Sequence, residues 1–201
     1  NMRSFFGSLS KTGIRGIKID FMDSASQERL AFYDAVAENL AKNKLMVNFH
    51  GANTPTGEER SWPHEMSREG IYGGEQNIWA AIGGQHYCAL PFTRLISGHA
   101  DFTGGYFGHE PKLRGSSWTL QMAANIIYTS PMLHWVSNPA DMEAAFPKDS
   151  PEREVVRNIP SVWEETIVLP PSAIGECAAF ARRSGNQWYI ALMNGCLLYT
   201  S

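Results

Sequence analysis

Residues 16–21, GIKIDF, are the stretch that decides the fold predicted for this chain. They read as a short strand buried on both faces, because Ile17 and Ile19 point to one side and only Lys18 to the other. Asp20 follows at the point where such a strand leaves its sheet. In parallel α/β proteins the chemistry lies at the carboxyl ends of the strands. Asp20 is therefore a candidate reacting group, and the alternative is that it caps the helix that follows.

The next two segments predict a βαβ unit. Residues 26–44 carry apolar side chains at helical spacing, which indicates an amphipathic helix with a serine cap at its start. Residues 45–51, LMVNFHG, then form a second buried strand that ends in polar groups. Strands joined through a helix are parallel neighbours. We therefore expect Asp20 and His50 to emerge at the same edge of the sheet.

Composition limits the class of protein. The chain has 201 residues, 43% hydrophobic residues and a net charge of −3, which fits an α/β domain and gives no basic footprint for nucleic acid. The sequence contains no run of 18 apolar residues, so no membrane span is predicted. The three cysteines lack metal-ligand spacing. The first ten residues show no convincing element or signal peptide, so the chain is expected to start within a domain.

A change of composition predicts a domain boundary near residue 160. The segment 146–160, rich in proline and charge, reads as a surface connection or a short helix. Beyond it, residues 166–169, 178–182 and 188–192 read as strands, the last two joined by a hairpin turn. Two or three strands do not stand alone, so this all-β module is expected to be truncated. Residues 196–201 break the strand pattern and are predicted to be either foreign sequence or a mis-assembled end.

Residues 51–77 form the densest polar cluster and read as a structured loop. Within it, Glu69 and Glu75 bracket a glycine-rich segment that fits another barrel strand. Carboxylates beside Asp20 suit acid/base or covalent hydrolysis of a glycosidic bond. Acid pairs equally suit Ca²⁺. The spacing alone leaves both readings open.

A third loop adds two further candidates. Arg94 is either a structural tether or a substrate contact, and Asp101 fits another strand-end position before glycine-rich sequence. The pattern then predicts a helix over residues 120–132 and a last barrel strand over residues 133–136.

Taken together, the ordered motifs resemble glycoside hydrolase family 97. These motifs are GIKIDFMD at 16–23, NFHGA at 48–52, PTG at 55–57 with Arg60, REG at 68–70 with Glu75, LPFTR at 90–94 and DFT at 101–103. The resemblance implies a (β/α)₈ barrel between an N-terminal β-sandwich domain and a C-terminal β domain. Residues 1–160 would be the C-terminal half of the barrel, and residues 161–201 the start of the all-β domain.

The resemblance also implies roles for single residues. Asp20 matches the nucleophile of the retaining branch and Glu75 its acid/base. The inverting branch has a base glutamate where this chain has Gly51. Glu69 and Glu75 would ligate Ca²⁺, with further ligands from the missing N-terminal domain of the same chain.

Substrate contacts and setting follow from the same likeness. We assign Lys18, His50, Arg94 and Asp101 to binding of an oligosaccharide or α-glycoside, with α-galactosides first and α-glucosides second. Lys18 shares a strand face with Asp20, so its ammonium is placed to keep Asp20 ionised or to bind a sugar hydroxyl. A periplasmic or secreted bacterial location is implied by the family alone.

Departures from the family pattern bear on substrate detail more than on reaction type. They are Asn48 where aspartate is frequent, His64 where asparagine is usual, and Gly104 in place of a common proline.

Two other functions stay open at this point. One alternative is that the chain is an inactive carbohydrate-binding fragment. The other is that it belongs to a metal-dependent barrel hydrolase that uses His50, His64 and Asp101, although these residues lack a recognised ligand spacing.

Overall fold

The computed structural model describes residues 1–108 and 110–196, which form seven helices and six strands besides short 3₁₀ turns. The helices are α1 Met2–Lys11, α2 Gln27–Lys42, α3 Gly84–Ala89, α4 Glu110–Leu113, α5 Trp118–Ile127, α6 Pro139–Ala145 and α7 Pro151–Asn158. The strands are β1 Gly16–Ile19, β2 Met46–Phe49, β3 Glu65–Arg68, β4 Glu165–Val168, β5 Cys177–Ser184 and β6 Gln187–Asn194.

The chain divides into two compact units. The first contains Asn1–Ile71, Ser97–Asp101 and Ser130–Met132. The second contains Tyr72–Ile96, Phe102–Thr129 and Leu133–Ser201.

The first unit is built on a parallel sheet with the order β1-β2-β3. Gly16 lies opposite Met46 and Ile19 opposite Phe49, so β1 and β2 start and end together. Helix α2 connects them and begins where the Ser26 hydroxyl accepts a hydrogen bond from the Arg29 amide at 3.3 Å. The predicted βαβ unit is confirmed, including its helix.

The core of the first unit lies between the sheet and helices α1 and α2. Its buried members are Phe6, Met22, Tyr33, Val36, Leu40, Leu45, Val47 and Phe49. Of the apolar face predicted for the helix, Tyr33, Ala37 and Leu40 are buried, whereas Leu30 and Ala41 are exposed. Strand β2 is buried almost throughout. Burial of this apolar surface holds β2 in place, so the polar residues that follow β2 have a fixed starting point.

Three predictions for the first unit were wrong. The first ten residues do contain an element, because α1 is a helix that packs Phe6 into the core. Strand β1 is only half-buried, since among the described residues it pairs with β2 alone. The strand near Glu69 and Glu75 is β3, which precedes Glu69, whereas the residues between the two glutamates form no strand.

The second unit carries an antiparallel sheet with the order β4-β5-β6. Strands β5 and β6 form the predicted hairpin, whose turn uses Gly185 at a φ of 57°. Helix α5 packs against β6, and α7 lies in the segment predicted as a connection or short helix. The strand predicted over 133–136 is not formed. Only an isolated parallel bridge between Gly104 and Trp135 is present among the described residues of this segment.

Some expectations stay predictions. The parallel sheet and the antiparallel sheet agree with an α/β protein followed by β structure, while the half-barrel and the boundary near residue 160 stay predictions. Of residues 196–201, all but Cys196 lie outside the described residues. Among the described helices, none has the length and apolar character that a membrane crossing requires.

Candidate active site

Asp20 follows β1 directly and is exposed to solvent. The backbone next to it is unusual, because Phe21 and Asp23 have φ values of 62° and 45° although neither is glycine. Such conformations are strained and cluster at functional sites. The Asp23 amide donates a hydrogen bond of 2.7 Å to the Gly51 carbonyl. This bond ties the turn after β1 to the turn after β2.

A side chain at residue 51 would be crowded by Asp20 and its neighbours. The φ of Gly51 is 56°, and a Cβ placed on it would lie 3.0 Å from the Phe21 amide nitrogen and 3.1 Å from Asp20 Oδ1. Glycine is therefore favoured both by the positive φ and by the close approach of Asp20. A side chain at this position would require Phe21, Asp20 or Asp23 to shift by a few tenths of an ångström.

A buried carboxylate joins the strand ends of the first unit. Asp101 is only 1% exposed, and its Oδ2 lies 2.9 Å from Lys18 Nζ. The same oxygen accepts a hydrogen bond of 2.7 Å from Asn48 Nδ2 and lies 2.9 Å from His50 Nδ1. A buried charge needs a charged partner and hydrogen bonds, and Lys18, Asn48 and His50 supply them. Side chains from β1, from β2 and from the residue after β2 thus converge on one oxygen.

His50 connects this carboxylate with a second one. Its Nε2 lies 3.4 Å from Glu69 Oε1, while Glu69 Oε2 accepts a hydrogen bond of 2.6 Å from the Gly51 amide. A carboxylate only accepts, so His50 Nδ1 carries a proton toward Asp101 when Asp101 is ionised. The Glu69 carboxylate belongs to the class of hard oxygen ligands that Ca²⁺ prefers. The donor chemistry at Glu69 therefore fits the ion that the family resemblance implies.

A buried arginine fixes the loop after β2. Arg68, at the end of β3, makes a bidentate pair with Glu65, with nitrogen–oxygen distances of 2.7 and 3.0 Å. Its Nη1 also donates to Glu58 and Asn53, which belong to that loop. The guanidinium lies over the Tyr33 ring, 4.4 Å from its centroid. Arg68 therefore connects a strand, the core and the loop.

The pKa values of the two glutamates that contact Arg68, Glu65 and Glu58, are shifted in opposite directions. Burial raises the pKa of Glu65 above its ordinary value, although the hydrogen bond and charge of Arg68 act against the rise. Burial also acts to raise the pKa of Glu58, but the hydrogen bonds from Thr56 and the charge of Arg68 outweigh it. The pKa of Glu58 is lowered as a result. Glu58 is thus the member of the network that acid protonates at a cost to stability.

Glu75 lies in the second unit, on the 3₁₀ turn Gly74–Ile78. The Gly74 amide donates to the Phe102 carbonyl at 2.6 Å, and Arg114 donates to the carbonyls of Asn77 and Ile78 at 2.9 Å each. The Tyr106 hydroxyl donates to the Glu75 carbonyl at 3.4 Å. Burial, followed by the charge of Glu75, raises the pKa of Tyr106 to about 12, so Tyr106 stays a neutral donor. These bonds hold the backbone of Glu75 in a fixed conformation.

The remaining candidates are distributed as follows. Within the first unit, Lys18, His50 and Asp101 come together, and Glu69 joins them through His50. Arg94 is half-buried in the second unit, at the start of a 3₁₀ turn. His64 does not join His50, because it precedes β3 at the opposite edge of the sheet and its Nε2 lies 2.8 Å from the Ala37 carbonyl oxygen. The predicted metal set of His50, His64 and Asp101 is therefore not assembled.

Two residues of the site, Asn48 and Arg68, were not predicted to have a role in it, although both lie in the motifs that carry the family resemblance. Asn48 is completely buried and binds Asp101, and the signal was a polar residue inside an otherwise apolar strand. Arg68 had no such local signal, since its partners lie 3, 10 and 15 residues away and only the fold brings them together.

Comparison with known proteins gives two family matches. A family model described as "Glycoside hydrolase 97" matches residues 1–71. A second, described as "Glycosyl-hydrolase 97 C-terminal, oligomerisation", matches residues 162–197. These matches define the class of protein as the glycoside hydrolases. The chain belongs to glycoside hydrolase family 97.

Similar curated proteins carry related names. A "Probable retaining alpha-galactosidase" of Streptomyces bingchenggensis is 36% identical over 183 residues, which cover 91% of this chain and 28% of that protein. A "Retaining alpha-galactosidase" of Bacteroides thetaiotaomicron is 32% identical, with 90% of this chain and 28% of that protein covered. The chain thus spans little more than a quarter of the length of these relatives.

Solved structures share the fold. A β-arabinopyranosidase aligns with a TM-score of 0.82 and 25% identity over 96% of this chain and 32% of that one. A family 97 enzyme in complex with acarbose, from Pseudoalteromonas sp. strain K8, aligns with a TM-score of 0.83 and 22% identity over 96% of this chain and 34% of that one.

Proposed function

We propose that the full-length protein is a retaining α-glycoside hydrolase that acts on chain ends, with α-galactosides as first substrates and α-glucosides as second. The observation that carries this proposal is the packing of Gly51 against Asp20. A Cβ at residue 51 would lie 3.1 Å from Asp20 Oδ1, closer than most side-chain contacts, so a glutamate at this position would crowd the proposed nucleophile. The names of the two curated relatives support the same choice.

The proposed chemistry uses two carboxyl groups in two steps. Asp20 attacks the anomeric carbon of an α-glycoside and forms a β-linked glycosyl-enzyme, while Glu75 gives its proton to the leaving oxygen. Glu75 then takes a proton from a water molecule, whose oxygen attacks the anomeric carbon and displaces Asp20. Two inversions restore the α configuration. This mechanism requires carboxyl groups about 5–5.5 Å apart, because no water fits between nucleophile and sugar.

The wider setting is proposed on family grounds. We infer that the parallel sheet is part of a (β/α)₈ barrel and that β4–β6 begin a C-terminal β domain. Glu69 and Glu75 would hold Ca²⁺, which supplies positive charge next to the reacting sugar. Lys18, His50 and Arg94 are proposed to bind sugar hydroxyls. A periplasmic or secreted location is part of the same proposal.

The decisive test uses the full-length protein and a panel of aryl α-glycosides. The expected result is hydrolysis of the α-galactoside with the α anomer as the first product by NMR. Asp20→Ala is expected to lower kcat by at least about 10⁴-fold, the order lost when an essential catalytic group is removed. Azide should rescue that variant and give a β-galactosyl azide. Asp149→Ala, which alters an exposed loop aspartate, is the matched control and should keep full activity.

The outcomes separate the alternatives. A β anomer as first product would exclude retention, and full activity of Asp20→Ala would exclude Asp20 as the nucleophile. Binding of galactosides without turnover would instead favour the carbohydrate-binding alternative.

A further inference from the structure

We propose that Asp101 is a positioning residue that acts through Lys18 and His50 and does not itself touch the sugar. This inference rests on the proposed function. It assigns Asp101 a role different from the substrate contact that the sequence predicted. The evidence is the arrangement of four side chains within the first unit.

The first step is the burial of Asp101. Its side chain is 1% exposed, whereas that of Lys18 is 31% exposed. A sugar that reaches this edge of the sheet therefore meets the Lys18 ammonium before it meets the carboxylate. Because three protein donors already converge on Asp101 Oδ2, this oxygen is saturated with protein partners.

The ion pair with Asp101 restricts the Lys18 side chain. A lysine side chain is flexible, and ordering it costs up to about 2 kcal/mol of conformational entropy. The ion pair of 2.9 Å with Asp101 orders it before any ligand binds. An ammonium has three donors, and the ion pair with Asp101 uses one of them, so two remain for a ligand. A donor that is held in advance binds a hydroxyl with a smaller entropic loss.

Asp101 also orients the ring of His50. The 2.9 Å contact with the carboxylate favours a proton on the ring's Nδ1. The opposite nitrogen, Nε2, is thereby directed toward Glu69. Asn48, completely buried, holds the carboxylate from a third direction. Asp101 is thus the common support of two groups that come from neighbouring strands.

The test is a double-mutant cycle in the full-length protein. Asp101→Asn keeps an oxygen that can still accept from His50 and Asn48, but it removes the negative charge that holds Lys18. We expect kcat/KM for an aryl α-galactoside to fall about 100-fold, the scale of a misplacement of about 1 Å. The loss should appear mainly as a higher KM, because a lost binding donor acts on the ground state and the transition state alike.

The cycle is completed in a Lys18→Met background. There Asp101→Asn should change kcat/KM by less than about threefold, since residues that act through each other are not additive. Lys42→Met is the matched control, because Lys42 forms an exposed pair with Glu38. This control should leave kcat and KM unchanged.

Each outcome decides the inference. The same fold-loss in both backgrounds would mean that Asp101 does not act through Lys18. A fall in kcat that equals the loss of folded protein, at constant KM, would mean that Asp101 only maintains the fold. Either result overturns the inference while the wild-type activity still supports the proposed function. If Asp101→Asn does not fold alone, Lys18→Met/Asp101→Asn should fold, because it removes both charges. Failure of that double variant to fold would also overturn the inference. An inactive wild-type protein would instead reject the proposed function.

Discussion

Single residues at the ends of β1 and β2 constrain one another closely. Phe21 and Asp23 adopt left-handed backbone conformations next to Asp20, and Gly51 adopts one across from them. The hydrogen bond from the Asp23 amide to the Gly51 carbonyl joins the two turns. Because the surrounding core fixes both strands, this strain is maintained at the place where the proposed nucleophile lies.

Gly51→Ala is expected to lower kcat/KM of the full-length protein about 100-fold, because its Cβ would displace Asp20 by a fraction of an ångström or more. Gly57→Ala is the matched control. Gly57 also has a positive φ, of 108°, but a Cβ there meets nothing within 4 Å. The control should lose stability yet keep its kcat. Equal losses of kcat in the two variants would show that backbone strain, and not contact with Asp20, determines the effect.

Glu58 gives a prediction for acid conditions. Its folded-state pKa is lowered from the ordinary value of 4.5, so its stabilising contribution is complete above that value and is lost as pH falls below it. Glu58→Gln should therefore destabilise the protein at neutral pH, and the difference from wild type should shrink below about pH 4.5. Urea unfolding from pH 7 to pH 3 measures this difference. A difference that stays constant over this range would contradict the sign of the shift.

At the scale of elements, β3 and the loop after β2 depend on one guanidinium. Arg68 is 1% exposed and contacts Glu65, Glu58 and Asn53. Glu65 is almost completely buried as well. Removal of the Arg68 guanidinium would leave the Glu65 carboxylate buried without a charged partner. A strand and a loop are thus stabilised together or lost together.

Arg68→Met is expected to lower the free energy of unfolding by about 3–5 kcal/mol, the cost of breaking a buried ion pair on one side. Arg183→Met is the matched control, since Arg183 also contacts two carboxylates, Glu164 and Glu165, but all three side chains are accessible to solvent. Exposed pairs contribute little, so this control should be indistinguishable from wild type. Chemical denaturation of both variants measures the contrast, and equal destabilisation would contradict it.

At the scale of the whole molecule, the proposed Ca²⁺ links activity with stability. A ligand that binds only the folded state stabilises it by about 2.7 kcal/mol at 100 times its Kd. A calcium chelator is therefore expected to lower both the Tm and the α-galactosidase activity of the full-length protein, and added Ca²⁺ should restore both. Glu69→Gln should weaken the response to chelator, because it removes one proposed ligand. An unchanged Tm in chelator would argue against a structural or catalytic ion.

The sequence by itself determined those local elements of this protein that have a clear periodicity or turn. Helix α2 follows from apolar residues at helical spacing with Ser26 at its start, and the hairpin of β5 and β6 follows from two apolar runs around Gly185. The positions of Asp20 and His50 after neighbouring parallel strands follow from the same local patterns. Periodicity and turn residues act over a few positions, so they can be read directly from the chain.

Only the tertiary structure decided which polar groups meet. Asp101 lies 51 residues beyond His50, yet it accepts from Lys18 of β1, from Asn48 of β2 and from His50 itself. The place of β3 before Glu69, and the burial of Arg68 among Glu58 and Glu65, likewise depend on contacts between distant segments. The register of a sheet and the packing of a core set these distances, and no local pattern encodes them.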